Sequence, residues 1–119
     1  MNIENIQAQM RKGILDFCIL SIIARREAYA SDIIDALKNA KLLVVEGTLY
    51  PLLTRLKNEG MLNYTWEESK SGPPRKYYKL TAEGQEVLLA MSKTWEELAY
   101  AVQQTTSDSI ENQQQSTTN

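Results

Sequence analysis

Apolar residues recur at helical spacing through the first 25 residues of the chain. Ile6, Met10, Ile14 and Phe17 lie on one stripe, and the run "ILDFCILSIIA" that overlaps it is apolar almost all round. The pattern predicts a single helix from about Ile3 to Arg25. A helix that is apolar on every side must be covered on every side, which suggests its own domain on one face and a second element or subunit on the other.

Two shorter helices are predicted next. Ser31 is a suitable N-cap for "DIIDALKNA", with Asp32 in its first turn. In "VEGTLYPLLTRLKNEG" the helical positions i, i+3, i+4 and i+7 are occupied by Leu49, Leu52, Leu53 and Leu56. A start near Gly47 or Thr48 would place Pro51 in the opening turns, where proline is tolerated. Gly60 suits the left-handed position that ends such a helix.

From Leu62 the period of the pattern changes to two. "LNYTW" and "RKYYKL" predict two strands joined by a long, turn-rich loop, "ESKSGPP". Thr81 is predicted to cap a last helix over residues 81–104. Its apolar positions are spaced 3, 4, 3 and 4, a seam made for packing against another helix, at Leu88, Met91, Trp95, Leu98 and Val102. The polar residues 105–119 are predicted to be disordered.

The predicted order is three helices, a β-hairpin and a further helix. This is a mainly α fold with a β-hairpin, a winged helix-turn-helix domain over residues 1–80 followed by a C-terminal helix. In winged helix-turn-helix proteins the third helix enters the DNA major groove. The order of elements therefore predicts double-stranded DNA as a partner.

The net charge of −2 and the pI near 5.2 argue against DNA only until the charge is located. Residues 47–80 carry six basic and three acidic side chains, whereas residues 81–119 carry one basic and six acidic side chains. The positive charge is therefore concentrated on the candidate recognition helix and hairpin, where phosphates must be neutralised. An ordinary solvated surface is the alternative interpretation of so small an excess.

With its leucines turned inward, the third predicted helix presents a polar face. Thr54, Arg55 and Asn58 can bond phosphates or base edges, and Gly47 and Pro51 give that face a low profile. The flanking positions are Thr48, Tyr50 and Lys57. For Tyr50, packing on the hairpin is the alternative to a DNA contact.

The composition offers little chemistry for catalysis. There is no histidine, and the single cysteine, Cys18, lies in an apolar run typical of a buried thiol in a reducing cytosol. We therefore expect no enzyme activity, no cofactor and no metal site. No apolar run approaches the roughly 20 residues of a membrane span and the first ten residues are too polar for a signal peptide, so we expect a soluble cytoplasmic protein without a membrane partner.

The segments "EGTLYPLLTRLKNEGML" and "SGPPRKYYKLTAEG" resemble the PadR family of bacterial winged-helix repressors, and "MRKGILDFCILSII" resembles its first helix. The resemblance covers about residues 10–102. The short C-terminal part is similar to the smaller subfamily that includes multidrug-responsive repressors. The resemblance implies a homodimer, in which the last helix of one subunit pairs with the first helix of the other, and a dyad-symmetric operator near a promoter.

The resemblance also implies roles for individual residues. Thr48, Tyr50, Thr54 and Arg55 would lie on the recognition helix, and Lys70, Arg75 and Lys76 on the wing. Family members often begin the second helix with a Gly-Tyr-Gly-Tyr-like segment. This chain has "AYAS" there, so Ser31 stands where a second tyrosine often contacts phosphate.

Trp95 has two interpretations. A tryptophan in a helix–helix seam is commonly a core residue. In the drug-responsive relatives a tryptophan at the matching place lines a central pore and stacks planar aromatic ligands. The resemblance thus implies an aromatic or hydrophobic effector at Trp95, with Met10, Ile14 and Phe17 as further walls.

Two alternatives to this regulator remain. A winged-helix module that binds proteins and no specific DNA would use the same scaffold, and its binding would depend little on salt. Among regulators, a MarR-like or ArsR-like winged repressor is the nearest rival, although clusters of cysteine and histidine for metal sensing are missing from the sequence.

Overall fold

A computed structural model describes the backbone of residues 1–117 and, beyond residue 108, the side chain of Gln113 alone. The described elements are α1 (Ile3–Arg11), α2 (Ile14–Arg25), β1 (Ala28–Tyr29), α3 (Ala30–Asn39), α4 (Glu46–Asn58), β2 (Leu62–Ser69), β3 (Gly72–Leu80) and α5 (Ala82–Thr117). The mainly helical winged helix-turn-helix fold with a long C-terminal helix is confirmed. The chain divides into two compact units, Met1–Leu88 and the part of α5 that follows from Leu89.

The predicted first helix is in fact two helices. Gly13 has a φ of 88°, which lies in the left-handed region that glycine adopts without steric strain, and this interrupts the helical backbone between Arg11 and Ile14. The apolar stripe continues across the break, so the spacing of apolar residues alone did not reveal it. None of the residues of α1 is buried, whereas α2 buries Ile19, Leu20 and Ile23.

Helix α3 begins two residues earlier than predicted. Its N-cap is Tyr29 and not Ser31, which lies in the first turn. The carboxylate of Asp32 accepts a hydrogen bond of 3.0 Å from the backbone N–H of Tyr29, so the aspartate stabilises the start of the helix.

Helix α4 begins at Glu46, so the prediction that Pro51 lies in the opening turns is wrong. Pro51 is the sixth residue of the helix, beyond the N–H groups that lack a partner within any helix, and one internal hydrogen bond is therefore lost. The predicted end is confirmed. Gly60 has a φ of 85°, and the backbone N–H groups of Gly60 and Met61 donate to Lys57 and Leu56, which is a Schellman motif.

The sheet has three strands in the order β1-β3-β2, with antiparallel pairing throughout. The predicted long loop between the hairpin strands is wrong, because β2 and β3 are joined by Lys70 and Ser71 alone. The pairing passes from Arg75 directly to Gly72, so Pro73 and Pro74 fall at an irregularity of the hairpin, where missing N–H groups are tolerated. Strand β1 was not predicted.

The core of the first unit is formed by α2, α3, α4 and the sheet. Its buried apolar residues are Ile19, Leu20, Ile23, Ala28, Ala30, Ile33, Leu37, Leu49, Leu53, Leu56, Leu62 and Tyr78. Of the four leucines assigned to the inner face of α4, Leu52 is only half-buried. The other three anchor the helix and leave its opposite face exposed.

Thr81 caps α5 as predicted. Its hydroxyl accepts a hydrogen bond of 2.9 Å from the N–H of Gly84 and donates one of 2.6 Å to the carbonyl of Gly60. These bonds join the first turn of α5 to the end of α4, within the compact unit Met1–Leu88.

The predicted disordered tail is corrected as far as Thr117, because α5 continues to that residue. The segment from residue 105 contains no glycine or proline. The hydroxyls of Thr105, Thr106 and Ser107 donate to backbone carbonyls one turn earlier, so polar side chains are accommodated along the helix. Residues 118–119 lie outside the described part of the chain.

Candidate DNA-binding surface

The exposed face of α4 carries the predicted recognition residues. Thr48, Tyr50, Pro51, Thr54, Arg55 and Lys57 are all exposed, while Leu49, Leu53 and Leu56 on the other side are fully buried. The periodicity of the leucines therefore predicted which face of the helix is exposed. The side chain of Tyr50 is 47% exposed, so it is available for a contact.

The N-terminus of α3, the face of α4 and the hairpin meet around one depression of about 510 Å³. The predicted residues that line it are Ser31, Tyr50, Thr54, Arg75 and Lys76. Three segments that are distant in sequence thus converge on one surface. Glu46 also lines the depression, so the lining carries a negative charge beside the positive charges of Arg75 and Lys76.

Strand β1 places an aromatic ring beneath the wing. Tyr29 pairs with Tyr77 across the sheet, with ring centroids 4.7 Å apart. The guanidinium carbon of Arg75 lies 4.0 Å from the centroid of the Tyr29 ring. This cation–π contact leaves the N–H groups at the edge of the guanidinium able to donate to an oxygen.

Lys76 lies over a second aromatic pair. Its ammonium nitrogen is 4.6 Å from the ring centroid of Tyr64 and 5.5 Å from that of Trp66, and the two rings meet edge to face at 5.8 Å. Lys57 of α4 approaches the Tyr64 ring at 5.9 Å, so the recognition helix and the wing present their lysines around the same ring. Lys70 is exposed in the turn.

Trp66 is the tryptophan of the wing, on strand β2. It contacts Tyr64, yet it is 62% exposed and lines the depression beside Pro74 and Lys76. In the sheet Trp66 pairs in register with Lys76, a neighbour that the alternation of β2 alone does not reveal.

Arg55 does not extend freely into solvent. Its Nη2 donates to both carboxylate oxygens of Asp16 on α2, at 2.8 and 2.7 Å, and its Nη1 lies 3.5 Å from Glu59 Oε1. The hydrogen bond to Asp16 is the main reason that the pKa of Arg55 is raised further above its ordinary value. Asp16 was not predicted as a site residue. The available signal was a lone carboxylate in the apolar run "ILDFCILSII".

The Asp16–Arg55 pair forms part of the wall of a groove of about 770 Å³. Much of the lining is aliphatic and includes the loop between α3 and α4, where Leu43 is 76% exposed and Val45 is 71% exposed. Arg11 and Lys12, beside the break between α1 and α2, supply further positive charge. The sequence did not predict this groove.

The residues predicted for dimer contact and ligand binding lie in both units. On α5, Trp95, Leu98 and Val102 are 44%, 53% and 56% exposed, and Leu88 and Met91 are half-buried. On α1 and α2, Met10 is 73% exposed, and Ile14 and Phe17 are half-buried.

Two further features concern metals and membranes. Within the described residues, no three side chains of histidine, cysteine, aspartate or glutamate are close enough together to bind a metal ion. None of the helices in that same part of the chain combines the length and apolar character that crossing a bilayer requires.

A profile described as the transcriptional regulator PadR-like family matches residues 19–90, which include α3, α4, the hairpin and the start of α5. The chain belongs to the PadR family of transcriptional regulators. The matched segment contains all of the recognition-helix and wing residues described above. Members of this family are DNA-binding winged-helix regulators.

Solved structures of PadR proteins are similar over most of the chain. A PadR-like transcription factor from Bacteroides fragilis is 56% identical, with a TM-score of 0.73, over 84% of this chain and 97% of that chain. A PadR-like regulator from Bacillus cereus is 37% identical, with a TM-score of 0.71, over 81% and 94% of the two chains. A PadR family regulator from Eggerthella lenta is 32% identical, with a TM-score of 0.77, over 86% and 89%.

Proposed function

We propose that this PadR protein is a homodimeric transcriptional repressor that binds a dyad-symmetric operator. In each subunit α4 would enter a major groove, and the wing would contact the adjacent backbone. Ser31, Thr48, Tyr50, Pro51, Thr54, Arg55, Lys57, Lys70, Arg75 and Lys76 would form the DNA contact. Binding to an operator on chromosomal DNA would place the protein in the cytoplasm.

The convergence of three segments on one surface is the observation that carries this proposal. Ser31 at the start of α3, Thr54 on α4 and Arg75 on the wing line the same depression. Hydroxyl and guanidinium groups are the groups that bond phosphates and base edges. The low profile of Pro51 would let the backbone of α4 approach the groove floor.

Exposed apolar side chains support the dimer. On α5 the seam residues Trp95, Leu98 and Val102 are all more than two-fifths exposed. On α1 the residues Ile3, Ile6 and Met10 are 58%, 50% and 73% exposed. Two apolar helix faces of this kind are typical of surfaces that a second subunit covers. Pairing of α5 with α1 of the other subunit would cover both.

Binding to the DNA upstream of the protein's own gene tests the DNA contact. We expect a protected, dyad-symmetric site, and an affinity that falls steeply as salt concentration rises. Replacing both Arg55 and Arg75 with alanine should weaken binding, and each lost bidentate contact to a base should contribute about 1–3 kcal/mol. Lys93→Gln removes one positive charge from α5, outside the residues proposed to contact DNA, and is the control for each of the single variants Arg55→Ala and Arg75→Ala.

Two outcomes would contradict the proposal. If the double variant bound the protected site as tightly as the wild-type protein, the contact surface would be assigned wrongly. Tight binding of a protein partner that is insensitive to salt, with no DNA affinity, would favour the alternative of a winged-helix module for protein–protein interaction.

We also propose that planar aromatic or hydrophobic compounds release the repressor by binding at Trp95, between walls that include Met10, Ile14 and Phe17. The exposed indole of Trp95 supports this, because an aromatic face is a stacking platform for such compounds. In a Trp66→Phe background Trp95 is the remaining tryptophan, so naphthalene and acridine compounds should quench the fluorescence directly. Unchanged ligand affinity in Trp95→Ala would exclude Trp95 as the platform.

A further inference from the structure

Among the cations of the recognition helix and wing, Arg55 is held by carboxylates. Asp16 accepts two short hydrogen bonds from a single nitrogen, Nη2, and Glu59 lies near the other terminal nitrogen, Nη1. The wing cations Arg75 and Lys76 lie over aromatic rings, which carry no net charge. Arg55 is therefore the recognition-helix cation whose charge is already matched within the protein.

The environment of Asp16 makes the release of Arg55 unfavourable. With Arg55 in place the side chain of Asp16 is 18% exposed, so it is better shielded from water than the side chain of Glu59, which is 45% exposed. A partly buried carboxylate that loses its hydrogen-bonded partner keeps its desolvation penalty and loses the compensating bond. Arg11 and Lys12 line the same groove, but the structure gives neither of them an ion pair with Asp16.

The charge around Arg55 also disfavours an ordinary phosphate contact. Two carboxylates face one guanidinium, which gives this cluster a net negative charge. A phosphate also offers acceptor oxygens to a guanidinium, but it brings one more negative charge to this cluster and carries no sequence information. A guanine edge instead offers two acceptors to one guanidinium, and a contact of this kind can replace the bonds to Asp16.

Resting on the DNA-binding function proposed above, we propose that Asp16 is a specificity-determining residue. It holds Arg55 and penalises the transfer of Arg55 to DNA that provides phosphates alone. DNA with suitable bases at the Arg55 position compensates for the lost pair, and other DNA does not. Asp16 is thus a positioning residue that acts through Arg55 and discriminates by disfavouring the wrong partner.

The test compares two duplexes of equal length and base composition, the protected upstream site and a shuffled version of it. Affinities are measured over a range of salt concentrations. We expect Asp16→Asn to raise affinity for the shuffled duplex about five- to tenfold, and to make its salt dependence steeper by about one released counterion, because Arg55 becomes free to neutralise a phosphate. Affinity for the protected site should change less, so the ratio of the two affinities falls.

Glu59→Gln is the matched control, since it removes the same negative charge at the longer 3.5 Å contact. It should raise affinity for both duplexes by a similar, smaller factor and leave their ratio unchanged. In an Arg55→Ala background, Asp16→Asn should no longer alter the ratio. Asp16→Glu keeps the negative charge. It should therefore retain much of the wild-type preference for the protected site over the shuffled duplex.

Thermal unfolding of each variant separates a folding defect from a change in specificity. If Asp16→Asn does not fold, Asp16→Ser provides the second test, because it also removes the carboxylate that holds Arg55 and leaves the guanidinium unchanged. It too should lower the ratio of the affinities. An unchanged ratio in the folded variants, or the same change with and without Arg55, would overturn the role of Asp16. Failure of the wild-type protein to prefer the protected site would instead refute the proposed function itself.

Discussion

At the scale of single residues, space decides what each position tolerates. Gly84 is buried in the first turn of α5, and a Cβ added there would collide with the carbonyl oxygen of Met61 and a methyl group of Leu80. Gly47 in α4 faces open space instead. The sequence contains no signal that separates these two helical glycines, because the difference arises from a neighbouring segment.

The two glycines should respond to alanine in opposite directions. Gly84→Ala should lower the free energy of unfolding by about 1–3 kcal/mol, since the backbone of Met61 must move. Gly47→Ala should raise it by about 0.4–1 kcal/mol, because alanine restricts the unfolded chain without a clash. Urea unfolding measures both values. Equal stability of the Gly84→Ala protein would show that the packing at Met61 is looser than described.

Tyr78 should make the protein less stable in alkali. Burial of its side chain raises its pKa above the ordinary value of 10.0, and the same effect raises the pKa of Cys18 above 9.0. Each group prefers its protonated form in the folded state. The stability they provide is therefore complete below the pKa values of the unfolded chain, and is lost as the pH rises through the folded values.

Urea unfolding between about pH 8 and about pH 11 checks this expectation. The free energy of unfolding should decrease over this range in the wild-type protein, and decrease less in Tyr78→Phe, which has no hydroxyl to ionise. Cys18→Ser in the same background should reduce the remaining slope. A slope that is the same in all three proteins would assign the alkaline loss to other groups.

At the scale of helices and strands, periodicity predicted what is buried but not where each element ends. The spacing of Leu49, Leu53 and Leu56 was sufficient to orient α4 correctly. The break at Gly13 was missed because the apolar stripe continues across it. Strand β1 was missed because a strand of two residues is too short to show an alternation of apolar and polar positions. The contact between Asp16 and Arg55 joins residues 39 positions apart, and only the packed fold brings them together.

Helices α3 and α4 end in the same way with different residues. Leu42 N–H donates to the carbonyl of Leu37 across Lys41, whose φ of 68° is left-handed, as Met61 N–H donates to Leu56 across Gly60. Lys41→Gly should therefore stabilise the protein by up to about 1 kcal/mol, and Gly60→Ala should destabilise it by a similar or larger amount. Thermal unfolding of the two variants measures both effects. Destabilisation by Lys41→Gly would show that the lysine side chain contributes more than its backbone strain removes.

At the scale of the whole molecule, opposite charges are separated along the chain. The excess of positive charge lies in residues 47–80, which form α4 and the wing, and the excess of negative charge lies in residues 81–119. A mildly acidic protein can therefore present a DNA-binding surface.

In the proposed dimer, the apolar seam of α5 would form the interface between the subunits. Leu98→Asp should increase the dissociation constant of the proposed dimer by more than about tenfold, because a carboxylate would be desolvated at the interface. Gln104→Asp introduces the same charge at an exposed polar position of the same helix and should leave the dimer intact. Light scattering during size-exclusion chromatography measures both masses. A wild-type monomer, or a Leu98→Asp dimer of unchanged affinity, would contradict the proposed interface.

The two-residue strand β1 has a further consequence. Its pairing with β3 connects the start of α3 to the wing, and Tyr29 contacts both Tyr77 and Arg75. A DNA-binding surface connected in this way would hold its major-groove contacts and its backbone contacts at a fixed separation. The groove width of the duplex would then have to adapt to the protein. Base pairs that no side chain touches would then influence affinity through their stiffness. The operator would be recognised partly by how easily it bends.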